Sequence, residues 1–129
     1  MNPLLDTHAL LWWMADDPAL GARARDAIAD AGNGVWVSAA SAWEIAIKAA
    51  LGRLQLPGPI AEVLPSVLAD NDFSPLPITV DHALRVSELP PVHADPFDRI
   101  LIAQAMTQSL TIVTADAVFA RYAVAILPA

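Results

Sequence analysis

Short apolar runs alternate along the chain with longer segments of helical periodicity. The runs that begin at Pro3 and at Leu110 are short and apolar, and a polar residue follows each, which is typical of buried strands. Strands and helices in alternation predict an α/β fold with parallel strands. The predicted strands lie near residues 3–6, 34–38, 75–78, 111–114 and 123–127, and the predicted helices near 8–15, 21–31, 39–52, 59–70, 80–88, 97–109 and 116–121.

Proline and glycine mark two connectors in this pattern, residues 52–59 and residues 89–94, and the second leads directly to Asp95. No internal repeat and no low-complexity tract interrupts the alternation. A chain of 129 residues has the ordinary length of one domain with a hydrophobic core of its own. We therefore expect a single domain over residues 1–129.

One predicted helix carries a continuous apolar stripe. Trp43, Ile47, Ala50 and Leu51 follow the spacing i, i+4, i+7, i+8, so they share one face of that helix. A stripe of this kind is typical of a face that packs on the core. We therefore expect these four side chains to be buried.

Four acidic residues fall where an α/β domain places functional carboxylates. Asp6 and Asp116 each follow a predicted strand and precede a helix, which puts them at the carboxyl edge of a parallel sheet. Glu44 and Asp98 lie in the expected first turns of two helices. Carboxylates brought together from four segments suit a hard divalent cation such as Mg²⁺.

Each acid taken singly also has an ordinary explanation as a helix cap, because acidic side chains accept hydrogen bonds from free N–H groups and complement the helix dipole. Ser41 and Glu44 have the spacing of a capping box. Asp95 and Pro96 are typical of an N-cap followed by the first helical residue, which leaves Asp98 at the third position. Only the joint pattern indicates a site.

Composition bounds the possible function. The absence of cysteine excludes disulfides, zinc–thiolate sites and cysteine nucleophiles. The N-terminus lacks the features of a signal peptide and no apolar run is long enough to span a membrane, so we expect a cytoplasmic protein with no membrane partner. The net charge of −7 opposes a nucleic-acid enzyme, but a bound cation would reverse the local electrostatics at the acids.

The order of these motifs resembles the PIN-domain nucleases, and in particular the VapC-type toxins of prokaryotic toxin–antitoxin pairs. The resemblance implies a PIN-like α/β/α sandwich with a central parallel sheet of about five strands in the order 3-2-1-4-5. It also implies that Asp6, Glu44, Asp98 and Asp116 are the catalytic and metal-binding acids. His93 and the residues after it look like the variant of one branch of the family. The segments that carry the resemblance are Leu4–Trp12, Val37–Lys48, Asp95–Ala105 and Leu110–Asp116.

The chemistry expected from this resemblance is hydrolysis of RNA by a water that one or two Mg²⁺ or Mn²⁺ ions activate, leaving a 5′-phosphate and a 3′-hydroxyl. No Gly-rich phosphate loop supports a kinase. A dehalogenase-like phosphatase needs a second Asp where His8 stands, and a receiver domain needs a late Lys where the chain has only Lys48. The alternative that stays open is a catalytically silent PIN-like module that binds protein or RNA.

An excess of apolar residues predicts protein partners. Hydrophobic residues make up 56% of the chain and the mean hydropathy is +0.47, above the usual composition of soluble domains. We expect a homodimer and a bound antitoxin, which the resemblance also implies. The expected contact sites are the first two helices, with Leu11, Trp12 and Leu20, and the helix from Ile60 to Leu68.

Overall fold

Five short parallel strands form one central sheet in the structure, a computed structural model that describes residues 1–129. The strands are β1 (Pro3–Leu5), β2 (Trp36–Ser38), β3 (Ser74–Leu76), β4 (Thr111–Thr114) and β5 (Ala125–Pro128). The helices are α1 (Thr7–Met14), α2 (Ala22–Ala29), α3 (Ala39–Ala50), α4 (Ile60–Asn71), α5 (Val80–Val86) and α6 (Pro96–Gln108). A short 3₁₀ helix, Ala117–Arg121, stands in place of the last expected helix.

The strand order is β3-β2-β1-β4-β5, and every neighbouring pair is parallel. The chain builds outward from β1 to β2 and β3, then crosses to the other side of β1 to add β4 and β5. This reversal creates a crevice at the carboxyl ends of β1 and its neighbours, where open α/β sheets bind their ligands. The strand order implied by the PIN resemblance is thus confirmed.

Two hydrophobic clusters cover the two faces of the sheet. Successive side chains of a strand point to opposite faces, so Leu4 and Leu5 enter different clusters. Helices α1 to α4 contribute to the cluster around Leu5, whereas α6 and the 3₁₀ helix contribute to the cluster around Leu4. The α/β/α sandwich predicted from the sequence is therefore confirmed. No helix is long and apolar enough to cross a membrane.

Helix α3 begins two residues before the predicted capping box. Its N-cap is Ser38, whose hydroxyl oxygen accepts a hydrogen bond from the Ala40 N–H at 3.0 Å. Ser41 is therefore already inside the helix, and Glu44 lies in the second turn rather than in the first. The capping-box prediction was wrong because Ser38, at the end of β2, satisfies the free N–H groups earlier. Glu44 has no capping role.

The apolar stripe on α3 is exposed, which contradicts the prediction that it packs on the core. Trp43 and Leu51 are each 61% exposed, and Ile47 and Ala50 also face outward. The periodicity was correct, but the helix buries its opposite face. That buried face consists of Ala40, Ser41, Glu44 and Ile45.

Candidate active site at the carboxyl edge of the sheet

Asp6 and Asp116 lie at the ends of the neighbouring strands β1 and β4. The Asp6 N–H donates to the Val113 carbonyl at 3.1 Å, which ties the start of α1 to the end of β4. Asp6 Oδ1 accepts the Ala9 N–H at 2.8 Å, and Asp116 Oδ1 accepts the Val118 N–H at 3.0 Å. Both acids therefore cap the helices that follow them, as their sequence positions predict. Asp6 is buried, whereas Asp116 is exposed.

Glu44 projects from α3 into the same edge of the sheet and is buried. Its Oε1 accepts a hydrogen bond from the Thr7 hydroxyl at 2.6 Å, and its Oε2 lies 2.7 Å from Lys48 Nζ. The Thr7 oxygen also lies 3.2 Å from the Ser41 hydroxyl. Because Thr7 has one hydroxyl proton and gives it to the carboxylate, Ser41 must be the donor in that second contact. Thr7 directly follows Asp6, so this contact joins Glu44 to the residues after β1.

Asp98 is the third residue of α6, and a different residue caps this helix. The Asp95 side chain accepts the N–H groups of Phe97 and Asp98, at 2.9 and 3.1 Å, and is therefore the N-cap. This frees the Asp98 carboxylate from capping its own helix. Its Oδ2 lies 3.1 Å from His93 Nε2, and both side chains are partly buried. The predicted N-cap role of Asp95 is therefore confirmed.

Burial makes ionisation of two of these acids unfavourable. Burial first, and then the charges of Asp95 and Glu44, raise the pKa of Asp98 to about 6 against the lowering effect of the contact with His93. Burial also raises the pKa of Asp6, to which Asp116 adds repulsion, while hydrogen bonds from Thr114 and Ala9 lower that pKa. In both acids burial contributes more to the raised pKa than repulsion from neighbouring carboxylates does.

Asp6 and Asp116 share one depression, and no group of three acidic or histidine side chains forms a ready-made ligand cluster. The donor atoms are all carboxylate or hydroxyl oxygens, which are the ligands that Mg²⁺ and Mn²⁺ prefer. Lys48 is the only Lys or Arg side chain in an ion pair with any of the four acids. Asp6 and Asp116 line an open depression of about 280 Å³ together with His8 and Trp12. The donor set therefore fits a hard cation.

The chain matches a known protein family over most of its length. A family model for the PIN domain matches residues 4–125. The chain belongs to the PIN domain family. The resemblance read from the sequence motifs is therefore confirmed.

One curated relative of this PIN domain is Ribonuclease VapC16 from Mycobacterium tuberculosis, which is 46% identical over 59 residues. The matched segment covers 46% of this chain and 40% of that protein's length. The chain thus matches less than half of its relative.

Solved structures with the same fold include VapBC2 from Rickettsia felis, bound to a DNA fragment from its promoter. It is 14% identical, covers 100% of this chain and 99% of its own, and has a TM-score of 0.75. DNA-bound VapBC from Salmonella typhimurium is 16% identical, with coverages of 99% and 98% and a TM-score of 0.70. FitAcB from Neisseria gonorrhoeae is 23% identical, with coverages of 97% and 96% and a TM-score of 0.63. At these identities the structures support the fold alone.

Some contacts around the PIN-domain site are not apparent from the sequence. Thr7 and Thr114 contact the acids, whereas the Ser38 hydroxyl donates to Gln104 Oε1 at 2.6 Å and holds α6 against β2. The Tyr122 hydroxyl contacts His93 Nδ1, although the two residues lie 29 positions apart in the chain. A contact between such distant residues has no local sequence motif.

An apolar groove of about 360 Å³ adjoins the acidic depression, and His8 and Trp12 line both. Two of the residues expected at a partner contact, Leu11 and Trp12, do line this groove. Leu20 does not, because it is buried in the core beneath α1 and α2, so its predicted surface role was wrong. The other apolar side chains of the groove come from α1, from the connector between α3 and α4, and from α4: Met14, Leu54, Leu56, Val63 and Val67.

Proposed function

We propose that this chain is a metal-dependent endoribonuclease that acts as the toxin of a toxin–antitoxin pair, with residues 1–129 forming one catalytic domain. The observation that carries the proposal is the gathering of acids at the crevice of the sheet, where Asp6 and Asp116 line one depression and Glu44 is joined to Thr7, the residue after Asp6. Acids held together without enough opposing charge are costly to the fold. Such a cost is common at functional sites.

Asp6 and Asp98 are the proposed principal metal ligands. Both are held in partly desolvated positions that raise their pKa, and neither has a Lys or Arg partner. Glu44 and Asp116 would bind the ion directly or through water, since Glu44 already has Lys48 and Asp116 is exposed. We propose Mg²⁺ or Mn²⁺ as the ion. When bound, such an ion lowers the pKa of a water for attack on the phosphodiester and stabilises negative charge on the phosphoryl group.

The remaining residues of the site orient these acids. Thr7 holds one oxygen of Glu44, and Lys48 holds the other while adding positive charge where an RNA phosphate would approach. Arg99, the other base near the acids, is turned away, because its guanidinium donates to backbone carbonyls and to Tyr122. Lys48 is therefore the proposed phosphate contact at the site.

The likeness to Ribonuclease VapC16 supports ribonuclease chemistry, and the likeness to the VapBC structures supports an antitoxin partner. The apolar groove beside the acidic depression suits an antitoxin segment that ends in an Arg or Lys, because a basic side chain would complement the acids. The exposed stripe on α3 suits the predicted homodimer. We place this activity in the cytoplasm.

The test is cleavage of a panel of structured RNAs by the purified chain, freed of any partner, with Mg²⁺, Mn²⁺ or EDTA. We expect cleavage with either ion and none with EDTA. Asp98→Asn and Asp6→Asn should abolish it, whereas Asp95→Asn, which makes the same charge change three residues away and keeps a capping oxygen, should retain it. The products should carry 5′-phosphate ends.

The second candidate, a catalytically silent PIN module that binds protein or RNA, predicts a different result. RNA binding that persists in EDTA, without cleavage under any metal, would favour it. Equal cleavage by the parent, Asp6→Asn and Asp98→Asn would defeat the proposed site itself.

A further inference from the structure

A chain of hydrogen bonds runs from α6 back to Asp98 through two other segments. Arg99 Nη1 lies 3.1 Å from the Tyr122 hydroxyl, which lies 2.7 Å from His93 Nδ1. His93 Nε2 then lies 3.1 Å from Asp98 Oδ2. Arg99 and Asp98 are adjacent in sequence, so this loop of contacts encloses the first turn of α6.

The donors in this chain have one consistent direction. Arginine can only donate, so the Tyr122 oxygen accepts from Arg99. The Tyr122 hydroxyl proton is then free to be given to His93 Nδ1. A neutral imidazole that accepts at Nδ1 carries its proton on Nε2, and it donates that proton to Asp98. The contacts therefore specify one tautomer of His93.

Arg99 is well placed to anchor this chain. Besides Tyr122, its Nη1 donates to the carbonyl of Pro90 at 2.9 Å, and its Nη2 donates to that of Val86 at 3.3 Å. No carboxylate pairs with it. The guanidinium thus joins the end of α5 and the connector before His93 to α6.

We propose that His93 is a positioning residue, held by Arg99 and Tyr122 as a donor on Nε2 so that it fixes one oxygen of Asp98 and leaves Oδ1 for the cation. The inference rests on the proposed function, because it takes Asp98 as a metal ligand. Carboxylate ligands of metals are commonly oriented by hydrogen bonds of this kind, and loss of such a partner costs about 10-fold to 100-fold in metal affinity.

A purely structural role is the rival explanation. The His93 ring packs edge-on against Tyr122, with centroids 5.5 Å apart, and near Phe119. Filling this space would stabilise the connector without affecting Asp98. His93→Gln and His93→Asn separate the positioning role from the structural one. The glutamine amide nitrogen occupies the place of histidine Nε2, which faces Asp98, whereas the asparagine amide nitrogen occupies the place of Nδ1.

The experiment measures Mn²⁺ binding to the intact chain by titration calorimetry at neutral pH, with melting temperatures alongside. We expect His93→Asn to weaken Mn²⁺ binding by about 10-fold or more. His93→Gln should bind more tightly than His93→Asn although both remove the ring. Tyr122→Phe should lie between the parent and His93→Asn.

Nitrogen-15 spectra of the metal-free chain supply a second measurement. They should show His93 protonated on Nε2 in the parent, and a changed Nδ1 signal in Tyr122→Phe. Parent-like Mn²⁺ affinity in both His93→Asn and Tyr122→Phe, or a parent tautomer protonated on Nδ1, would overturn the inference and leave the proposed function standing. If the parent binds neither Mn²⁺ nor Mg²⁺, both the inference about His93 and the proposed metal-dependent function are wrong.

Discussion

Lys48 Nζ lies 2.7 Å from Glu44 Oε2, one helical turn away on α3, and gives Glu44 a lysine partner, whereas none of the other three acids has a Lys or Arg partner. Lys48→Met would leave all four carboxylates without such a partner. We expect the metal-free protein to lose about 0.5 kcal/mol of unfolding free energy or more, since exposed pairs at this spacing contribute that much and Glu44 is buried. Added Mn²⁺ should recover the loss, because it supplies the missing charge.

Denaturant unfolding with and without Mn²⁺ measures this effect. Arg85→Met is the matched control, because Arg85 and Glu88 form a longer, exposed pair at 3.6 Å. Equal losses in the two variants, with no recovery by metal, would mean that Lys48 acts only as a surface residue.

The raised pKa of Asp98 predicts how stability depends on pH. An unfolded Asp ionises near its ordinary pKa of 3.8, whereas folded Asp98 ionises at about 6. Between these two pKa values the folded state holds a proton that the unfolded state has lost. The protonated carboxyl therefore contributes its whole stabilisation below the unfolded pKa, and this contribution is lost as the pH rises through the folded pKa. We expect Asp98→Asn to flatten this decline in metal-free protein.

Urea unfolding in EDTA, at several values between about pH 4 and pH 8, gives both curves. Asp95→Asn, with the same change of charge, should keep most of the decline, since burial is the largest cause of the Asp98 shift. Parallel curves for the parent and Asp98→Asn would contradict the assigned pKa.

Much of the fold follows from local pattern, because a short apolar run followed by Asp or Ser specifies both a buried strand and the start of a helix. Asp6 and Asp116 were placed correctly for that reason. The orientation of α3 was not, because periodicity defines a stripe without stating which face meets the core. Trp43 is exposed because the polar residues Ser41 and Glu44 turn inward to contact Thr7.

The rest of the site depends on contacts between distant segments. His93 and Tyr122 come together only because α6 and the 3₁₀ helix pack on the same face of the sheet. His93 has a local partner in Asp98, but nothing local in the sequence reveals its contact with Tyr122. The same holds for Thr7 and Glu44, which lie on different helices.

The capping role of Asp6 and Asp116 predicts which substitutions are tolerated. Asparagine keeps the oxygen that accepts from Ala9 or Val118 and removes the charge. We expect Asp6→Asn and Asp116→Asn to melt at or above the temperature of the metal-free parent, because each relieves repulsion. The alanine variants should instead lose about 1 kcal/mol through the missing cap.

Thermal melting in EDTA compares the asparagine variants with the alanine variants. In a second scan, added Mg²⁺ should raise the melting temperature of the parent but not that of Asp6→Asn. Equal destabilisation by asparagine and alanine, with no response to metal, would show that the carboxylates act only as caps.

The buried contact of Thr7 with Glu44 predicts a loss of both stability and activity. Thr7→Val preserves the side-chain shape but leaves Glu44 Oε1 without its donor at 2.6 Å. An unsatisfied buried acceptor costs about 1–3 kcal/mol. RNA cleavage should fall because Glu44 is no longer held, while Thr7→Ser should keep most of both properties. Cleavage assays and denaturant unfolding on the three proteins test this, and parent-like behaviour of Thr7→Val would exclude an orienting role.

The apolar groove predicts a separation of partner binding from catalysis. Val63 lines the groove on α4 and lies outside the core clusters, so Val63→Asp should leave the fold and RNA cleavage unchanged. A buried charge in the groove should weaken binding of the antitoxin, tested as the product of the adjacent gene, by about 10-fold or more, since an unpaired desolvated charge costs several kcal/mol.

Val80→Asp is the control, because Val80 is 73% exposed on α5, away from the groove. Binding measured by calorimetry, and inhibition of cleavage measured in parallel, should fall only in the groove variant. Equal affinity of both variants for the adjacent gene product would place the antitoxin elsewhere on the surface, because a segment seated between α1 and α4 has to displace water from Val63.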